Sequence, residues 1–143
     1  MDSAPAGYSG TPLPKKLGLK DGQRASFPNA PSGFASTLGP LPDVTLVDEA
    51  AAGAGLDLVV FFTTSAEELR GAWDRLASSI APAGMLWVAW PKKASKVPTD
   101  VTEDVVRAVA LERGMVDVKV CAIDAVWSGL KLVYRLKERP ARK

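Results

Sequence analysis

The segment of this 143-residue chain that is best suited to chemistry is a loop that carries three lysines and two hydroxyl side chains. An apolar run ends at Pro91, and the loop after it carries Lys92, Lys93, Ser95, Lys96 and Thr99. Ammonium and hydroxyl groups donate to anions, and a following helix start adds backbone N–H groups. We interpret this lysine loop (residues 92–99) as a candidate site for a small anionic molecule or a protein partner. The alternative is a solvated loop, because three acids follow directly and would repel a phosphate: Asp100, Glu103 and Asp104.

A tryptophan and an acid form a second candidate group between the last two apolar runs. Trp127 follows Asp124 closely, and Ser128-Gly129 predicts a turn at this point. Large aromatic side chains in turns often contact a ligand or a partner, although packing in the core is the alternative. In the predicted sheet this turn and the lysine loop leave at the same edge, where they would line one cleft.

A third group follows the first two predicted strands. The first turn reads Pro28-Asn29-Ala30-Pro31-Ser32-Gly33, and Asp48-Glu49 ends the next strand. An acid about twenty residues past the first turn has the spacing of a ribose-binding carboxylate. However, the turn lacks the G-x-G-x-x-G pattern with which a backbone approaches a bound cofactor. A solvated loop acid is the alternative role.

Composition excludes several classes of site. The sequence has no histidine, which removes Ser-His and Cys-His catalysis and His-ligated zinc. Its one cysteine, Cys121, lies in an apolar run and is predicted to be inert core. The acids after the lysine loop fit helix capping better than coordination, so no metal site is expected. A net charge of +2 argues against nucleic acid as a partner. Without a membrane-length apolar run or a signal peptide, we expect a cytoplasmic protein, of open oligomeric state.

Hydrophobic periodicity predicts the elements that position these groups. Strands are expected at Arg24–Phe27, Val44–Val47, Leu56–Phe62, Met85–Trp90, Val116–Asp124 and Leu130–Leu136. Helices are expected after Thr11, at Ser32–Leu38, and after capping boxes that begin at Ser65 and Asp100. This alternation predicts one Rossmann-like, three-layer α/β domain over residues 13–137, with a mainly parallel sheet that ends in an antiparallel hairpin. A flexible segment (1–12) precedes it and a basic tail (138–143) follows.

The second half of the chain resembles Rossmann-like methyltransferases that use S-adenosylmethionine. The resemblance rests on the strand that begins at Asp57, on the helix-to-strand step from Leu76 through Gly84 to Val88, and on the closing hairpin. It implies that Asp48 or Glu49 would hold the ribose, with Asn29 or Ser32 in place of the glycine-rich contacts. Because the glycine-rich turn is missing, the sequence predicts that the chain holds no resident cofactor. The alternative is that it binds S-adenosylmethionine.

A second resemblance covers nearly the whole chain. Its segments are Tyr8–Leu13, Trp90–Ser95, Thr99–Arg107, Cys121–Asp124 and Trp127–Lys131. Together they resemble a family of small bacterial proteins that carry a domain of unknown function, which implies no activity. The leading hypothesis is therefore that the protein is a non-enzymatic binding or regulatory module. The segment Tyr8–Leu13 would fold over the edge of the sheet where the ligand binds. The alternatives are a methyltransferase with a degenerate cofactor loop and a purely structural subunit.

Overall fold

The computed structural model describes residues 12–48, 50–51 and 53–135, which form one six-stranded sheet flanked by helices. The strands are β1 (Arg24–Ser26), β2 (Thr45–Leu46), β3 (Leu56–Phe62), β4 (Ile80–Pro91), β5 (Met115–Ala122) and β6 (Trp127–Tyr134). The helices are α1 (Leu13–Leu17), α2 (Phe34–Leu38), α3 (Ala66–Ser79) and α4 (Glu103–Glu112), with a 3-10 turn at Lys93–Ser95. Within these residues, no helix is long and apolar enough to cross a membrane.

The strand order is β2-β1-β3-β4-β6-β5. Strands β1 to β4 are parallel, whereas β6 runs antiparallel between β4 and β5. The predicted mixed α/β sheet with a closing antiparallel hairpin is thus confirmed. The continuous apolar run of β3 is buried throughout except at the half-buried Asp57, as expected for a strand covered on both faces.

Two hydrophobic cores lie on opposite faces of the sheet. Residues of α3 and α4 pack in the first core, and residues of α1 and α2 pack in the second. Trp73 and Trp90 belong to the first core and Trp87 to the second, so the two tryptophans of β4 face opposite sides of the sheet. Cys121 is also buried in the second core, as predicted.

The predicted turn at Ser128-Gly129 is wrong, because both residues lie inside β6. They pair with Trp90 and Ala89 of β4, and the chain reverses at residues 123–126 instead. Gly129 packs closely against its neighbours: a Cβ there would lie 3.2 Å from the Trp87 ring and 3.2 Å from Ile123. The glycine therefore marks a close approach between neighbours and not a bend.

The helix starts differ in part from the predictions. Ser65 caps α3 as predicted, since its Oγ accepts from the Glu68 N–H at 3.0 Å. The cap of α4 is Thr102 and not Asp100. The Asp100 carboxylate instead accepts from the Ala66 N–H at 2.7 Å, so it satisfies the first turn of α3.

Several predictions concern residues outside the described ranges. Pro12 is the residue before α1, and Thr11, which was expected to cap that helix, is not among the described residues. The same holds for the Tyr8 segment, Glu49 and the basic tail at 138–143. Strand β4 begins at Ile80, earlier than the predicted Met85.

Candidate functional site

The carboxyl ends of the parallel strands meet at one edge of the sheet. The Phe62 N–H donates to Pro28 O at 3.2 Å, and the Thr63 N–H donates to Ala89 O at 3.0 Å. The Lys92 N–H donates to Val126 O at 2.6 Å. The lysine loop and the β5–β6 turn therefore leave the sheet at the same edge, as the sequence predicts.

A cavity of about 540 Å³ opens beyond β1 and β2 at this edge. Its wall is mostly apolar and includes Phe27, Phe34, Leu41 and Leu46. Asp48, which follows β2, is the one acid among the described residues that line it. A volume of this size is typical of small-molecule sites, which combine apolar walls with few polar groups.

A smaller cleft of about 230 Å³ lies beside this cavity. It is lined by Pro28, Asn29, Asp48, Ala50 and Arg75. Asp48 lines both spaces, so an exposed carboxylate stands between an apolar cavity and a guanidinium-lined cleft.

The turn after β1 bends without a glycine-rich motif. Asn29 takes a φ of +62°, in the left-handed region that asparagine tolerates better than most residues. Its amide donates to Phe62 O at 3.1 Å and to Glu68 Oε2 at 3.4 Å. Glu68 Oε1 lies 2.5 Å from the Thr63 hydroxyl. Asn29 thus ties the turn to the start of α3, a link between distant segments that sequence reasoning missed.

The structure brings the three predicted cofactor residues together. Ser32 and Asp48 line the larger cavity, and Asn29 and Asp48 line the smaller cleft. Ser32 is exposed and its hydroxyl makes no hydrogen bond within the described residues, so it can still donate. The Asn29 amide N–H groups are already engaged, which leaves only its carbonyl oxygen for a ligand.

A series of aromatic rings connects the cavity wall to β6. Phe27 packs edge-on to Phe34 with ring centroids 5.2 Å apart, and Phe34 packs on Phe62 at 4.9 Å. Phe62 packs on Trp127 at 5.1 Å. Trp127 is thus the first residue of β6 and half-buried against the second core, and not a turn residue. Its contact with a ligand stays a prediction.

The hydroxyls of the lysine loop shape the loop itself. Ser95 Oγ donates to Lys92 O at 2.6 Å and accepts from the Val97 N–H at 3.2 Å. Thr99 Oγ1 donates to Thr64 O at 2.7 Å and accepts from the Val101 N–H at 3.0 Å. These bonds leave the lysines as the groups most able to bind a ligand.

The three ammonium groups of the loop remain available. Lys92, Lys93 and Lys96 make no ion pair with any described carboxylate. Asp124, predicted to line the same cleft, accepts through Oδ1 from the N–H groups of Val126 and Trp127 at 2.8 and 2.7 Å. Asp124 therefore closes the turn that the lysine loop contacts.

Comparison with solved structures finds proteins of similar fold, among which are S-adenosylmethionine-dependent methyltransferases. One such enzyme from Aquifex aeolicus matches with a TM-score of 0.56 and 15% identity, over 82% of this chain and 85% of that chain. The magnesium protoporphyrin IX methyltransferase from Synechocystis PCC 6803 with bound SAM matches with a TM-score of 0.55 and 14% identity, over 86% and 74%. The PH0226 protein from Pyrococcus horikoshii OT3 matches with a TM-score of 0.59 and 12% identity, over 87% of each chain.

At these identities the likeness shows the fold alone. No protein-family model matches the chain, and no curated protein matches it. The methyltransferase-like scaffold is thus confirmed, whereas membership of the small bacterial family stays a prediction.

Proposed function

We propose that this chain binds S-adenosylmethionine in the 540 Å³ cavity and acts as a methyltransferase. The observation that carries the proposal is the place of Asp48, at the end of β2 in an apolar cavity of suitable size. In Rossmann-like folds a carboxylate at this point accepts hydrogen bonds from a ribose diol. The fold that the solved methyltransferases share supports the same assignment.

The residues around the cavity fit an adenosyl group. Asp48 would accept from the ribose hydroxyls, and the apolar side chains of Leu41 and Leu46 would cover the flat face of the base. Both leucines are exposed, at 36% and 51%, so a ligand here would bury apolar surface. Ser32 would donate its unengaged hydroxyl, while Asn29 keeps the turn in place.

When bound, S-adenosylmethionine supplies an electrophilic methyl group. The chain offers no histidine as a general base. On this proposal, the residues of the chain contribute by binding the two reactants, orienting them and excluding water. Holding the reactants in line lowers the barrier to methyl transfer. On this proposal the non-enzymatic binding module becomes the second candidate.

The test is thermal unfolding of the purified protein with S-adenosylmethionine and with its demethylated product. A ligand at about a hundred times its dissociation constant stabilises the fold by about 2.7 kcal/mol, which raises the melting temperature by several degrees. Asp48→Asn should abolish most of this shift. Asp43→Asn is the matched control, because Asp43 is exposed, carries the same charge and lines neither cavity. Equal shifts in both variants would contradict the role of Asp48.

The second candidate is an anion-binding module centred on the lysine loop. Its support is the set of three ammonium groups without a described ion pair at the ligand edge of the sheet. On this hypothesis an acidic small molecule or protein segment binds Lys92, Lys93 and Lys96. Charge reversal at Lys92 and Lys93 should abolish a melting shift caused by phosphorylated metabolites, and an unchanged shift would exclude the hypothesis.

A further inference from the structure

A second group of lysines lies in the sheet itself, away from the ligand edge. Lys131 of β6 is paired directly with Lys119 of β5. On its other side Lys131 is paired with Trp87 of β4. Since cross-strand partners point to the same face, both lysines lie on the face of Trp87, which is the face of the second core. The third member is Lys20, whose charge acts on Lys131. We call Lys20, Lys119 and Lys131 the lysine triad.

The triad is separate from the lysine loop. Lys131 pairs with the middle of β4, four residues before the strand ends at Pro91. At about 3.3 Å per residue the two groups are about 13 Å apart along the strand. A ligand of a few atoms therefore contacts one group or the other.

No described carboxylate neutralises the triad. The acids closest to it in sequence are engaged elsewhere. Asp21 accepts from the Asp43 N–H at 2.8 Å. Asp117 is paired with Leu132, on the first-core face of the sheet, and binds Arg107 at 3.1 Å. The described ion pairs involve only arginines among the basic residues, so none of the three ammonium groups has an ion pair with a described carboxylate.

This arrangement costs stability in the free protein. Like charges that are directly opposite on neighbouring strands repel each other. Burial lowers the pKa of Lys131, and the charges of Lys119 and Lys20 lower the pKa further. An anion bound between the three groups would relieve the repulsion.

We propose that the lysine triad is a binding site for the phosphate group of a small phosphorylated ligand. The three cations come from two strands and the segment after α1: Lys119 and Lys131 are direct cross-strand partners, and the charge of Lys20 acts on Lys131. A nucleic-acid backbone needs a longer cationic track with exposed aromatic rings for stacking. The aromatic neighbour on this face, Trp87, is fully buried and donates its indole N–H to Leu17 O at 2.9 Å.

Isothermal titration of the full chain with inorganic tripolyphosphate at low salt tests the proposal. The double variant Lys119→Gln/Lys131→Gln should bind about tenfold more weakly or worse, because it loses two charge-assisted contacts. The variant Lys92→Gln/Lys93→Gln removes the same charge from the lysine loop and reports any binding there. The control is Arg70→Gln, at an exposed position of α3 on the opposite face of the sheet, and it should bind as the parent does. A single-stranded oligothymidylate series is the third arm and should show no gain in affinity with length.

Thermal unfolding without ligand shows whether the variants fold. The triad variant should melt at or above the temperature of the parent, since it removes a repulsive pair. The proposal is overturned if tripolyphosphate does not bind, or if its affinity falls only in the lysine-loop variant. It is also overturned if oligonucleotides bind progressively tighter with length while tripolyphosphate binds equally to parent and triad variant.

Discussion

Removal of the Asp124 carboxylate should destabilise the fold at the turn that joins β5 to β6. Asp124 Oδ1 accepts two backbone hydrogen bonds, at 2.8 Å from Val126 and 2.7 Å from Trp127. A hydrogen bond to a charged group contributes about 1.5–3 kcal/mol, and the half-buried position places these two at the low end. We therefore expect Asp124→Ala to lower the free energy of unfolding by about 2–3 kcal/mol. Asp124→Asn keeps one acceptor oxygen and should cost about 1 kcal/mol.

Urea unfolding followed by circular dichroism measures both variants. The midpoint should fall while the slope stays unchanged, since the native surface is the same. Hydrogen exchange adds a local measurement, because the Lys92 N–H donates to Val126 O in this turn. Its protection should decrease most in Asp124→Ala. A loss below about 0.5 kcal/mol in Asp124→Ala would refute the structural role of this carboxylate.

Two further substitutions test the packing around α3 and β4. The Tyr134 hydroxyl donates to Ala77 O at 2.5 Å, so Tyr134→Phe should cost about 1 kcal/mol at neutral pH. Burial raises the pKa of Tyr134 above its ordinary value of 10.0. The contribution of Tyr134 to the free energy of unfolding is therefore complete below pH 10 and is lost as the pH rises through the raised pKa. In that alkaline range, the stability of Tyr134→Phe should fall less steeply with pH than the stability of the parent. A Cβ at Gly84 would lie 2.9 Å from Leu56 O, so Gly84→Ala should cost about 1–3 kcal/mol in urea unfolding. Gly71→Ala, in open space on α3, is the matched control and should stabilise by about 0.5–1 kcal/mol; equal effects at the two glycines would contradict the close approach.

The sequence predicted the elements whose signal is local. The continuous apolar run of β3 and the apolar stripe of α3 each carry their own periodicity, and both elements lie where expected. The common edge of the lysine loop and the β5–β6 turn followed from strand order alone. The acid after β2 was also recognised, because its spacing from the first turn is a property of the chain.

The contacts between distant segments could not be predicted in this way. Asp100 resembles a cap for the helix that follows it but satisfies α3, more than thirty residues earlier. Gly129 resembles a turn residue, although it lies inside β6, where a Cβ would come within 3.2 Å of the Trp87 ring. In both cases the local pattern identified a residue with a special structural role but not the segment that the residue contacts. That segment is set by the tertiary fold.

The most direct test of the account is isothermal titration of S-adenosylmethionine into the full chain and into Asp48→Asn. The account predicts saturable binding with one site per chain, at least tenfold weaker in Asp48→Asn and unchanged in Asp43→Asn. A Lys119→Gln/Lys131→Gln variant should bind S-adenosylmethionine normally, which separates this site from the triad. Absence of binding to the parent protein, or equal binding to Asp48→Asn, would contradict the assignment of the cavity beyond β1 and β2 as a cofactor site.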